Sequence, residues 1–288
     1  MMTIQAKPST NLTKEVLKKL GEQGLIPGPH ESKEQFVKRI DVLKKVKEDP
    51  PKFLKGKAVS RWNPDFHKEL GAIPKWLPLT YSNHGLPLWQ GAALWIFETP
   101  DRKKIPIIQL REGFKKGKFL FYSQSEVLLH ETLHAIRVAF NEPRFEEILA
   151  YHHSKSKWRR FIGPLFRKPS HAFFFIALIF ISLIVQTTSL FFLTSPLLPY
   201  VKFVTLLPIM DLTLRTAALI RDQRIVKKAL KRLSEIFPNQ KEAFSVLIRL
   251  KDSEIQKFAT EPIEKLLDYV EEEIPKSLRW HQIIAQFC

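Results

Sequence analysis

From Ala172 through Val201 the chain carries no formally charged residue (AFFFIALIFISLIVQTTSLFFLTSPLLPYV). About 20 apolar residues span the hydrocarbon core of a bilayer, and a buried helix of a soluble protein rarely runs that long without a charge. Ala172–Leu193 therefore predicts a transmembrane helix, and the rest of the chain has to fold around it.

After the Thr194-Ser195-Pro196 turn, residues 197–220 are apolar again but interrupted by Lys202, Asp211 and Arg215. So short a turn leaves two options, a return through the bilayer as a hairpin or a segment lying in the interface. Basic residues flank both outer ends, with Arg159, Arg160, Arg167 and Lys168 before and Arg221, Arg224, Lys227 and Lys228 after. By the positive-inside tendency both ends face the cytoplasm, which favours the hairpin and puts the soluble parts on the cytoplasmic side. Lys202 is then expected near one lipid–water boundary, and Asp211 and Arg215 near the other.

The whole chain has 46 Lys+Arg against 29 Asp+Glu, a net charge of +17. Such a balance calls for an anionic partner, either nucleic acid or lipid. The basic residues gather beside the apolar span and no nucleic-acid-binding fingerprint is present, so the expected partner is anionic membrane lipid and not nucleic acid. The single cysteine, Cys288, excludes an intramolecular disulfide and a cysteine metal cluster, so any metal must be held by His, Asp or Glu. Met1–Thr10 shows no basic stretch followed by an apolar run, and no cleaved secretory signal is expected.

Residues 11–49 read as two helices around Gly24-Leu25-Ile26-Pro27-Gly28-Pro29, a solvated pair covering a neighbour. Between Trp62 and Tyr122, three short apolar runs, Ala92–Glu98, Ile105–Arg111 and Lys118–Tyr122, read as strands, antiparallel because the connections are short. Ser123 or Ser125 can cap a helix running through Phe140. Beyond residue 220, the stripes Ile225, Val226, Ala229, Leu230, Leu233 and Ile263, Leu266, Leu267, Val270, Ile274 predict helices that form a soluble cap or an interaction surface.

The predicted helix after Ser123 contains His130-Glu131-Thr132-Leu133-His134, a match to HExxH. On a helix, positions i and i+4 lie one above the other, so both imidazoles can reach one zinc ion, while Glu131, one residue round, faces the water bound to it. Zinc lowers the pKa of such a water to about 7, and a glutamate can take its proton as it attacks a carbonyl carbon. A catalytic zinc needs a third protein ligand. The helix continues with Arg137 and Phe140 where a metzincin would place its glycine and histidine, and no aspartate lies shortly after. A few residues further on, past Asn141-Glu142-Pro143, the chain reads Glu146-Glu147-Ile148-Leu149-Ala150-Tyr151.

In these residues the chain resembles the gluzincins, in which HExxH is followed by a second helix bearing a glutamate ligand in the setting Glu-x-x-Ala or Glu-x-x-Ser. Glu147 with Ala150 fits that setting, whereas Glu146 lacks the small residue three places on. The resemblance, over about 25 residues, implies a zinc metallopeptidase with Zn2+ on His130, His134 and Glu147, Glu131 as general base, and a peptide or protein as substrate. The 12 residues between His134 and Glu147 are fewer than in most gluzincins, so Glu146 stays an alternative ligand. The layout also resembles membrane-integral HExxH proteases, in which a hairpin follows the HExxH helix and the third ligand comes after it. That would make Asp222 the ligand, although its basic neighbours read as a lipid-facing collar.

The expected fold is α+β and zincin-like, a small antiparallel sheet with the HExxH helix and the glutamate helix, followed by a transmembrane hairpin and a helical C-terminal region. The expected organisation is a basic helical region over 1–60, a catalytic domain over 61–168, a membrane segment over 169–220 (172–193 and 197–220) and a helical region over 221–288. The competing expectation is a non-enzymatic membrane-associated scaffold or binding protein, in which the HExxH helix is structural. Around the motif, Tyr151 could serve an oxyanion, His152 and His153 could hydrogen-bond near the site, Glu126 could orient His130, and Arg137 could neutralise a carboxylate.

Overall fold

The computed structural model describes residues 12–48, 65–87, 90–99, 104–191, 198–237 and 239–288. The chain divides into two compact units, Met1–Glu142 together with Lys228–Cys288, and Pro143–Lys227.

In the first unit, helix α1 (Lys14–Glu22) starts at Thr13, whose hydroxyl accepts from the Val16 N–H. It buries Leu17 and Leu20 against the last helix, α12 (Leu278–Phe287). The Gln282 amide on α12 donates to the carbonyls of Leu17 and Leu25 at 3.2 and 2.9 Å. Helix α2 (Lys33–Glu48) buries Phe36, Ile40 and Leu43. The N-terminal helices are thus core elements and more than a solvated cover. In the turn between them, a Cβ at Gly28 would lie 2.7 Å from the Ala139 main-chain oxygen. Backbone cannot yield as a flexible side chain can, so Gly28→Ala is expected to cost roughly 1–3 kcal/mol, read as a lower midpoint in urea with an unchanged slope.

Helix α3 (Asp65–Leu70) leads to a three-stranded sheet of β1 (Leu79–Tyr81), β2 (Ala92–Glu98) and β3 (Lys104–Leu110), in the order β1-β3-β2. β2 runs antiparallel to β3 from Ala92↔Leu110 to Glu98↔Lys104, as the sequence suggests, but β1 pairs with β3 in parallel. The sheet is therefore mixed, not antiparallel, and its third strand is Leu79–Tyr81. The run expected as that strand, Lys118–Tyr122, instead folds on itself as β4 (Lys118–Phe119) against β5 (Tyr122–Ser123), because Leu120 takes a left-handed φ of 51° and reverses the chain. Central β3 is buried from Ile105 on, whereas β2 is exposed from Trp95 through Glu98 at the sheet edge.

Helix α4 (Gln124–Ile136) is capped by Ser123, whose hydroxyl accepts from the Glu126 N–H, and it packs on β2 and β3. The Gln124 amide also donates to the Tyr81 hydroxyl, fixing the helix start to the end of β1. The helix stops at Ile136 and not at Phe140. Past it the chain tightens into turns of three, with Phe140 N–H on Arg137 O, and Asn141 takes a left-handed φ of 54°. The Arg137 side chain is wholly buried and its Nη1 donates to the carbonyls of Ile248 and Leu250 at 2.6 and 3.1 Å, over the Phe140 ring.

The C-terminal helices α9 (Gln240–Leu247), α10 (Asp252–Thr260), α11 (Ile263–Glu273) and α12 belong to this same unit. They close around Glu254. Its Oε1 accepts from Arg279 Nη2 at 2.7 Å, Trp280 Nε1 at 2.9 Å and the Tyr269 hydroxyl at 3.0 Å, and its Oε2 accepts from the Lys251 N–H at 2.7 Å.

The second unit contains α5 (Glu146–Ala150), α6 (Lys157–Ile162), α7 (Pro169–Ser189) and most of α8 (Leu198–Ile236). Two stretches, Pro169–Ser189 and Phe203–Ile236, are long and apolar enough to cross a membrane, with mean hydropathies of 2.1 and 1.6, and their apolar windows are only 6% buried. A soluble core helix would hide such residues, but Phe173, Phe180, Ile184, Phe203 and Leu214 stand exposed. The two helices touch where the Ser182 hydroxyl donates to the Val204 carbonyl at 3.1 Å. The first begins three residues earlier than Ala172, with Pro169 in its first turn. The second does not end at 220. It continues unbroken to Ile236, a length of about 58 Å at 1.5 Å per residue. Asp211 and Arg215 pair one turn apart at 2.7 Å, neutralising each other on the half-buried side of α8. The Thr194-Ser195-Pro196 turn and Lys202's side chain lie outside the described residues.

Candidate metal centre

The pattern of α4 decides which way its histidines face. Leu128, Leu129, Thr132, Leu133, Ala135 and Ile136 are buried, and the Thr132 hydroxyl is spent on the Leu128 carbonyl at 2.6 Å. Packing that stripe against the sheet turns His130, Glu131 and His134 to the remaining face, where all three are half-buried. His130 Nε2 and His134 Nε2 lie 3.3 Å apart, with the rings edge to face. Two ring nitrogens this close face a shared point, and which of them donates depends on the tautomers of the two rings.

Glu147 is the second residue of the short helix α5, which follows Pro143 and the buried Phe145. One carboxylate oxygen of Glu147 and one nitrogen from each of His130 and His134 lie within 4.8 Å of one another, a group able to hold a metal ion. The structure thus brings together the three residues that the sequence nominates as ligands. Glu131 is beside the group on α4, and Glu146 is half-buried next to Glu147.

Asp222 is not a member of the group. Its side chain is 1% exposed and pairs with Arg144 at 2.9 Å, Arg167 at 2.8 Å and Arg221 at 3.2 Å. No signal at Asp222 itself announces those partners, yet an aspartate at the end of an apolar run, among arginines, is a charge in need of one. Arg137 donates from Nη1 to the carbonyls of Ile248 and Leu250, just after α9. The Tyr151 ring fills the space that a side chain at Gly163 would need, since a Cβ there would lie 2.5–2.7 Å from ring atoms. His152 and His153 stack edge to face at 5.0 Å, and the Glu126 main-chain N–H donates to the capping Ser123 hydroxyl.

Fold and site together define a mainly helical protein with a small mixed sheet, two helices long and apolar enough to cross a membrane, and a His-His-Glu group suited to a metal. No protein-family profile, no curated protein and no solved structure matches the chain.

Proposed function

We propose that the protein is a membrane-anchored, zinc-dependent metallopeptidase, gluzincin-like in its site, that hydrolyses peptide bonds with Glu131 as general base. The observation that carries this reading is the His130–His134 separation. Two nitrogens bound at the usual zinc distance of about 2.05 Å in a tetrahedron stand about 3.3 Å apart, and these two lie at 3.3 Å. His130, His134 and Glu147 would hold the ion, a His2Glu donor set that leaves a fourth place open. When bound, zinc supplies a Lewis acid that makes water acidic enough to ionise near neutral pH and polarises a carbonyl. Glu131 accepts the proton of the attacking water and delivers it to the departing amine.

Peptide recognition falls to the sheet edge. β2 lies at the border of the three-stranded sheet, and α4 packs against it. An extended substrate can add to that edge by main-chain hydrogen bonds, which give affinity with little sequence preference. The basic residues beside α7 and in α8 draw the protein to anionic lipid.

Hydrolysis of an unstructured polypeptide should be lost on chelation and restored by adding Zn2+. Glu147→Ala is expected to lower zinc from about one per chain to well below half, whereas Glu146→Ala keeps it. Equal zinc in wild type and Glu147→Ala, measured by elemental analysis, would remove Glu147 from the ligand set.

A further inference from the structure

Helix α5, which carries Glu147, is five residues long. An isolated helix of that length does not hold itself, and no side chain caps its first turn. Its orientation must come from what packs on it and what anchors its entry. Phe145 and Leu149 are fully buried and supply the packing. The entry is anchored at Arg144, three residues before Glu147, and it is held twice. Arg144 Nη2 donates to Asp222 Oδ1 at 2.9 Å, and the Arg144 carbonyl accepts from Arg167 Nη1 at 2.8 Å. Arg167 Nη1 in turn donates to Asp222 Oδ2 at 2.8 Å. The two Asp222 oxygens therefore fix both the side chain and, through Arg167, the main chain of one residue.

A carboxylate that is 1% exposed is costly to bury unless its partners are well placed, so this arrangement is strongly determined. It also has a direction. Asp222 stands on α8, and Arg167 lies two residues before α7. Both long apolar helices are thereby tied to the entry of the ligand-bearing helix.

We propose that Asp222 is a positioning residue for the metal site: by clamping Arg144 and Arg167 it lets the apolar helices α7 and α8 set the placement of Glu147, and with it the affinity for metal. The inference rests on the metal reading above. Partners that orient metal ligands from outside the coordination sphere typically change affinity by about 10–100-fold.

The test uses the full-length protein in lipid, with two readouts: hydrogen exchange of the α5 amides in metal-free protein, and metal affinity from Co2+ titration, whose visible spectrum reports the number and geometry of ligands. Asp222→Asn is expected to speed exchange of Ile148–Ala150 while leaving β3 protected, to weaken Co2+ binding about 10–100-fold, and to alter the spectrum. Arg144→Gln, at a half-exposed side chain, should do the same if Asp222→Asn fails to fold, and Asp222→Glu should restore part of the affinity. Unchanged α5 exchange in both Asp222→Asn and Arg144→Gln overturns the inference, whether or not wild type takes up metal. So does faster exchange with wild-type affinity. A wild-type chain that binds no Co2+ sinks the metal reading instead, and the exchange rates still decide the clamp.

Discussion

Glu131→Gln should reduce hydrolysis of an unstructured polypeptide by about 10²–10⁴-fold while zinc stays near one per chain. The amide is nearly the shape of the carboxylate but cannot take a proton from water, so the change removes the base and spares the ligands. Glu131 is half-buried on the same face of α4 as His130 and His134, and the buried stripe through Thr132 and Leu133 fixes that face. The fold should therefore tolerate the substitution, with an unchanged unfolding midpoint. Activity lost together with zinc would assign Glu131 a role in binding the metal. Activity retained would exclude it as the base and, with it, the proposed chemistry.

The second large effect concerns stability. Glu254 and Arg279 are each 1% exposed and pair at 2.7 Å, with Trp280 and Tyr269 donating to the same carboxylate oxygen. Breaking a buried pair by removing one partner leaves a buried charge, at a cost of about 3–5 kcal/mol. Glu254→Gln is expected to lower the thermal midpoint by roughly 6–20 °C in a unit of this size. The double change Glu254→Leu with Arg279→Met should cost less than the two single changes combined. The pair also sets a pH dependence. Burial alone would push the Glu254 carboxyl up, but the Arg279 charge and the hydrogen bonds from Arg279, Lys251 and Trp280 hold it below its ordinary value of 4.5. A carboxylate lowered on folding stabilises the folded state fully above its unfolded pKa, and that contribution is lost as pH falls through the lowered value. Wild type should therefore lose stability in acid below about pH 4, and Glu254→Gln should show a flatter profile there. Identical acid profiles would show that Glu254 is not held below its unfolded pKa.

How much of the molecule is legible in its sequence depends on the range of the interactions. The HExxH helix, the glutamate after Pro143 and the apolar runs are local patterns, and β2 occupies Ala92–Glu98, one of those apolar runs. Leu79–Tyr81 is too short to show a period, and its parallel pairing with β3 joins residues far apart, so nothing local marks it as a strand. The reversal at Leu120 depends on a left-handed φ at a leucine, a residue that gives no such warning. The C-terminal stripes reveal helices but not that α12 packs on α1, across most of the length of the chain. Arg137 and Asp222 elude a local reading for the same reason. Each has distant partners, the carbonyls of Ile248 and Leu250 for Arg137 and the guanidinium groups of Arg144 and Arg167 for Asp222.

Zinc content is the most direct measure of the centre. Elemental analysis of the full-length protein, purified without added chelator, should give about one zinc per chain for wild type and close to none for His130→Ala combined with His134→Ala, with both proteins folded by circular dichroism. Equal zinc in the two proteins, or none in wild type after dialysis against Zn2+, would contradict a metal held between those imidazoles and end the case for a metallopeptidase.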